Sequence, residues 1–206
     1  LYNADSNFGM FKEHKDIVKY MTDLKSKTGY PDNIRVDWAK AKADKVIDLA
    51  KLLTDANMMK GITIALQSMS PEVLGAVRRK NIDGGKLKLF FDLYKDENLK
   101  TYIELILGLP KETVKSFKDG IFEILDLEYY DYIGVYPMTV LPNTPFAEPE
   151  YVKEYGIDVT ETLPAFFHHD YPQGMKDETS LMVVGHKTLT RGEYIEMSMW
   201  RWLFMF

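Results

Sequence analysis

The chain has 206 residues, 46% hydrophobic and 28% charged, with a formal net charge of -5; this is enough for one ordinary core or one domain with an appendage. Mild acidity offers no electrostatic footprint for nucleic acid or an anionic membrane, and no apolar run reaches the ~18 residues of a membrane span. The absence of cysteine excludes disulfides and thiolate metal sites within the chain.

Leu1 to Asp5 reads as a short strand, followed by the loop Ser6-Asn7-Phe8-Gly9. Apolar residues Phe11, Ile17, Val18, Met21 and Leu24 then recur at mostly helical spacing to Lys27, and Gly29 and Pro31 stop that helix. Asn33 to Trp38 alternates apolar and polar residues as a strand does, and Ala39 to Leu53 reads as a helix. Ile62 to Leu66 is the best strand signal, continuous enough to be buried on both faces. Gln67 and Ser68 follow it. Ser70 as cap, Pro71 in the first position and Glu72 near the positive end announce a helix, which Arg78, Arg79 and Lys80 would close.

Asp83-Gly84-Gly85 reads as a turn and Leu87 to Tyr94 as a helix. Thr101 to Leu107 is a strand, Gly108-Leu109-Pro110 a loop, Thr113 to Leu127 an amphipathic helix, and Tyr132 to Tyr136 a further strand. The alternation predicts an α/β fold of parallel strands over residues 1–150. Residues 151–206 break it and predict a mostly helical C-terminal extension. The start at Leu1 and the apolar end WRWLFMF suggest cuts through a longer protein. The tail is expected to pack on the fold or on a second copy. No export signal is visible, which leaves the cytoplasm as the default location.

Four stretches carry a resemblance: ADSNFG (residues 4–9), ALQSMSPEVLGAVRRKNI (65–82), ELILGLPKET (104–113) and YPMTVLPNTPF (136–146). In this order they resemble radical S-adenosylmethionine (SAM) enzymes, in the subgroup that often carries an N-terminal cobalamin-binding domain. The resemblance implies a partial, TIM-like (β/α) barrel of which strands two to six are present. It also implies a 4Fe–4S cluster whose Cys-x-x-x-Cys-x-x-Cys ligands lie outside this chain, with a cobalamin domain upstream in some members. In the family the reduced cluster cleaves SAM to methionine and a 5′-deoxyadenosyl radical. Cobalamin-carrying relatives often transfer methyl groups to unreactive carbon. Partners implied are a small-molecule substrate, the upstream part of the same protein and an electron donor. The isolated chain, lacking the cluster cysteines, is expected to be inactive.

The resemblance places the SAM contacts on Asp5, Asn7, Gln67, Ser68, Arg79, Glu104, Gly108, Tyr136 and Met138. Each has an ordinary reading beside it. Asp5 and Asn7 favour turns, Gln67 and Ser68 could simply leave the core, and Arg79 could serve a helix dipole. Glu104, inside an apolar strand, must be paired or face a polar interior. Gly108 suits either a ligand approach or a tight turn. Lys111 stands where the pattern GLPGET has glycine, which puts a positive φ there in doubt. Asp37 and Arg35 share one strand face and read as a salt bridge. Glu104 with Asp37 would supply acid–base chemistry in a different (β/α) enzyme, and a non-catalytic interaction domain using the aromatic tail is a further alternative. The run His168-His169-Asp170 lacks a third ligand at defined spacing and does not read as a metal site.

Overall fold

The computed structural model describes residues 1–5, 7–39, 43–59, 61–81, 84–162 and 179–204. Helices α1 (Glu13–Thr28) and α2 (Ala43–Asp55) precede strand β1 (Ile62–Gln67), then α3 (Pro71–Ala76), α4 (Gly84–Asp96), β2 (Thr101–Leu107), α5 (Val114–Asp126) and β3 (Tyr132–Pro137). The three strands form one parallel sheet in the order β1-β2-β3, and no closed barrel is formed among the described residues.

Local chemistry explains most of these boundaries. Gly29 takes φ 76° after α1 and returns its N–H to the Lys25 carbonyl at 2.7 Å, a left-handed stop that glycine adopts without a Cβ clash. The buried stripe of α1 is His14, Val18 and Met21, at i, i+4 and i+7. Phe11 and Ile17, expected on that face, are exposed. Pro71 opens α3, but Ser70 makes no side-chain cap bond, and α3 ends at Ala76. Arg78 to Lys80 therefore lie beyond the helix instead of closing it. Gly84 and Gly85 belong to the first turn of α4, not to a separate turn.

The two expected N-terminal strands reduce to isolated parallel bridges, Tyr2 with Arg35 and Phe8 with Trp38. After β3 come β4 (Thr139–Val140), a 3₁₀ turn (Pro145–Ala147), α6 (Pro149–Tyr155), β5 (Asp158–Thr162), β6 (Ser180–Gly185) and α7 (Arg191–Phe204). Strands β4, β6 and β5 form an antiparallel sheet in that order. Among its described residues, the expected mostly helical extension is a mixture of two helices and two strands. Its strands were hidden because DVTET and SLMVVG gain their pairing from each other and from β4, not from strong local alternation. Residues 168–170 lie outside the described residues.

The chain divides into two compact units, both discontinuous in sequence. One comprises Leu1–Ala65, Ile82–Glu104 and Leu127–Ile133; its core includes Phe8, Trp38, Leu53, Met58 and Ile62. The other comprises Leu66–Asn81, Leu105–Asp126 and Gly134–Phe206; its core includes Val73, Leu109, Met138, Val140 and Val183. In the second unit Arg191 forks onto the Asp158 carboxylate at 2.5 and 2.7 Å, and Trp200 stacks on Phe204 under the Lys118 ammonium. Trp202 and Leu203 are exposed, so the aromatic tail is only partly packed, and Phe206 lies outside the described residues.

Candidate functional site

Side chains alternate across β2. Thr101, Ile103, Leu105 and Leu107 are buried, whereas Tyr102, Glu104 and Ile106 are half-buried. A period of two puts the second set on one sheet face. Desolvation raises the Glu104 pKa above the ordinary carboxylate value; Arg35 opposes the rise and Asp37 adds to it. Arg35 and Asp37 form no ion pair with each other among the described residues. Instead the Tyr2 hydroxyl donates to Asp37 at 3.3 Å, and the Arg35 guanidinium lies over the Tyr2 ring, 5.9 Å from its centre. The expected salt bridge is replaced by one aromatic side chain that serves both residues.

Asp5 and Asn7 belong to the same unit as Glu104. Asp5 accepts the Asn7 N–H at 2.8 Å, and its own N–H goes to the Asn3 side chain. This is the turn chemistry foreseen for these residues. Sequence reasoning missed the residue beneath it. His14, 7% exposed, reaches the Asp5 carboxylate through Nε2 at 3.1 Å. Its Nδ1 accepts the Gly9 N–H at 2.7 Å, and its ring stacks on Phe8. The signal was available in the spacing, since His14 completes the Val18–Met21 stripe.

The second unit gathers Gln67, Ser68, Gly108, Tyr136 and Met138, with Arg79 further along the chain. Gln67, Leu107 and Pro137 end β1, β2 and β3, and parallel strands bring such ends to one edge. Gln67 is half-buried, has φ 70° and closes β1 in the left-handed region, where a non-glycine residue is strained. Tyr136 is 38% exposed, and Arg79 is exposed with its N–H on the Leu74 carbonyl. A Cβ on Gly108, φ 88°, would sit 3.3 Å from the Tyr194 ring, so any other residue would be strained in conformation and tight against that ring. Lys111 adopts φ 69°; the loop keeps its left-handed turn although lysine stands there.

Two of the residues placed at this edge by resemblance face inward. Met138 is 4% exposed; its N–H is bonded to Leu107 and its carbonyl to Val183. Ser68 is 4% exposed; its hydroxyl donates to Glu112 Oε1 at 3.1 Å and accepts the Ser70 N–H at 3.2 Å. Glu112 itself was missed. It is 1% exposed, and burial pushes its pKa up to about 8 against the bonds from Ser68 and the Gly108 N–H. It lies within the ELILGLPKET stretch, but nothing there announces its burial, because a glutamate before a helix ordinarily complements the dipole from solvent. Behind it, Thr188 Oγ donates to the Glu112 carbonyl at 3.0 Å and lies 3.2 Å from His186 Nδ1. Desolvation lowers the His186 pKa. No group of three or more metal-ligating side chains occurs among the described residues.

Comparison with known proteins gives a consistent set of relatives. No protein-family model matches the sequence. Over 198 residues, 95% of this chain, it is 35% identical to the cobalamin-dependent radical SAM methyltransferase TokK of Streptomyces tokunonensis. It is equally similar, over the same length, to the 2-(S-pantetheinyl)-carbapenam-3-carboxylate methyltransferase of Streptantibioticus cattleyicolor. The chain spans 29% of the length of each of these curated relatives. Among solved structures, radical SAM methyltransferase TsrM of Kitasatospora setae, with tryptophan and a SAM analogue bound, superposes with a TM-score of 0.60 at 15% identity; the match covers 100% of this chain and 43% of that one. A TsrM structure with cobalamin and a [4Fe-4S] cluster gives 0.50 at 18% identity, over 70% of this chain and 28% of that one.

Proposed function

We propose, from the premise that this chain is homologous to a segment of the cobalamin-dependent radical SAM methyltransferases, that it supplies the SAM-holding part of a radical SAM enzyme. The observation that carries the reading is the 35% identity over 95% of the chain. The strand-end edge of the second unit supports it, because polar and glycine positions gather there. Residues 1–150 then belong to the partial barrel and 151–206 to its extension.

Bound there, SAM would supply a methyl or deoxyadenosyl group. On this reading the Gln67 amide faces the ribose hydroxyls. The Arg79 guanidinium pairs with the SAM carboxylate as a fork, and Gly108 lets backbone approach the ligand. Tyr136 lies beside the adenine, Met138 contributes backbone and packing, and Ser68 acts through Glu112. Asp5, Asn7 and Glu104 are proposed contacts to the SAM amino acid end or the substrate.

The residues present do not fit an iron–sulfur cluster. Thiolates hold such clusters, and the chain contains no cysteine, so no step through a cluster is derived for it. The activity of the parent, its small-molecule substrate, its cobalamin and its electron donor are proposed from homology, and the cytoplasmic location from the lack of a visible export signal.

Isothermal titration of SAM into the 206-residue chain tests the reading. Measurable binding that falls about tenfold in Gln67→Ala and in Arg79→Ala supports the site, a loss of about 1.4 kcal/mol in each. Unchanged affinity in both removes it. After anaerobic iron and sulfide reconstitution, the chain alone should give no brown chromophore and no 5′-deoxyadenosine. A second reading, acid–base chemistry by Glu104 with Asp37, has the raised Glu104 pKa in its favour; failure to bind SAM would bring it forward.

A further inference from the structure

Glu112 stands where three loops meet. The β1–α3 loop reaches it through the Ser68 hydroxyl at 3.1 Å, and the β2–α5 loop through the Gly108 N–H. The β6–α7 turn reaches the same residue's carbonyl through Thr188 Oγ at 3.0 Å. The residue is 1% exposed, and its second oxygen, Oε2, has no partner among the described residues. A buried carboxyl with an unmade bond costs stability that an apolar side chain of similar size would not. Such a group persists where it fixes something the apolar residue could not fix.

What it fixes can be read from the backbone around it. Ser68 also takes the Ser70 N–H, and the Ser68 carbonyl accepts the Asn81 side-chain amide at 2.6 Å. One serine thereby ties down the turn that follows Gln67. On the other loop, Gly108 at φ 88° and Lys111 at φ 69° both occupy the left-handed region, which such a loop holds only when its surroundings over-determine it. Gln67 at φ 70° is the third such residue. Two strained non-glycine positions and one glycine turn flank one carboxyl group.

We propose that Glu112 is a positioning residue whose carboxyl locks the β1–α3 loop to the β2–α5 loop, and so holds Gln67 and Gly108 in the conformations that present them at the strand-end edge. That the edge binds SAM rests on the function proposed above; the lock does not. Ser68 gives its only hydroxyl hydrogen to Glu112, so it serves the edge from beneath. The groups facing the carboxyl are the Ser68 hydroxyl and the Gly108 N–H, and no charged side chain contributes to its shifted titration; the Thr188 turn, with His186 behind it, meets the main-chain carbonyl of Glu112 instead.

Amide hydrogen exchange and SAM titration on the 206-residue chain test this, using Glu112→Gln, Glu112→Ala and Ser68→Ala. Glutamine keeps the acceptor and the shape, and Ser68→Ala removes the contact with little loss of volume. Glu112→Ala and Ser68→Ala should speed exchange of the Ser70 and Gly108 amides by about tenfold, the worth of one buried hydrogen bond, while Glu112→Gln stays near the parent. Central β2 amides and those of α1 should be unaffected. SAM affinity should fall at least about fivefold in both alanine variants and recover in Glu112→Gln. Unchanged loop protection in both alanine variants overturns the lock. Loosening spread evenly through both units also overturns it, because the carboxyl would then be a general core element. Loosened loops with undiminished SAM affinity overturn the positioning role. A parent chain that binds no SAM while its loops still loosen locally refutes the SAM reading and leaves the lock standing.

Discussion

His14 Nε2 donates to the Asp5 carboxylate at 3.1 Å while its Nδ1 accepts the Gly9 N–H at 2.7 Å. The backbone donor fixes the tautomer: Nδ1 is bare, so Nε2 carries the hydrogen that Asp5 receives. His14→Ala removes both bonds and the stack on Phe8, and leaves a buried N–H unpaired. A loss of about 2–4 kcal/mol is expected in chemical unfolding. His14→Gln, which can donate and accept, should recover part of it. Equal loss in both variants would show that packing, not hydrogen bonding, dominates at this position.

In the proposed SAM site, Gln67 sets stability against binding. Its φ of 70° costs a non-glycine residue about 1 kcal/mol. Gln67→Gly should leave thermal stability unchanged or raise it, and Gln67→Ala should not raise it. Both should weaken SAM binding about tenfold, since both lose the amide. A glycine variant that is less stable than the alanine variant would contradict the strain.

Lys111 makes the same point without a ligand role. With φ 69° on an exposed side chain, Lys111→Gly should stabilise the chain by up to about 1 kcal/mol, less the entropy glycine adds to the unfolded state. Thermal melting measures it, and clear destabilisation would mean that the lysine side chain makes a compensating contact.

Two buried groups give stability a pH profile with opposite slopes. Burial raises the Glu112 pKa from 4.5 to about 8, so its folded form prefers the proton. Its contribution is complete below pH 4.5 and declines as pH rises to about 8, a change on the order of several kcal/mol. Burial lowers the His186 pKa from 6.5, so its contribution is complete above that value and is lost as pH falls through the lowered one. Unfolding midpoints of Glu112→Gln should lose the decline between pH 5 and 8, and His186→Gln should flatten the acid side. Parallel profiles in parent and Glu112→Gln would rule out the buried acid as their source.

The sheet was legible because its strands declare themselves locally. Thr101–Leu107 matches the predicted strand, and β1 and β3 extend theirs by one residue. Helix α5 was equally plain, since its apolar residues repeat at helical spacing. What could not be read depended on distant partners. The Leu1–Asp5 and Asn33–Trp38 segments have strand-like composition, yet among the described residues they share one isolated bridge, Tyr2 with Arg35, because a ladder needs sustained register with its neighbour as well as a pattern. At the candidate site the parts visible from sequence were the residues at strand ends. Invisible were Glu112 and His14, whose polar names suggest solvent and whose roles come from being covered. Arg79 was read as a helix-closing cation, but the helix ends three residues earlier, at Ala76.

Gly120 sits within α5, where a Cβ would meet the Met69 Cβ at 3.1 Å. Glycine costs an exposed helix about 1 kcal/mol relative to alanine, so this helix gives up intrinsic propensity at the point where Met69, two residues after Gln67, rests on it. The two positions should therefore be mutually constrained. Alanine at 120 alone pushes on the loop that carries Gln67. Paired with glycine at 69, the one residue without that Cβ, it can recover the propensity without that pressure. The free-energy effects of the two substitutions should then fail to add, and the path by which this segment accepts sequence change should depend on which of the two positions changes first.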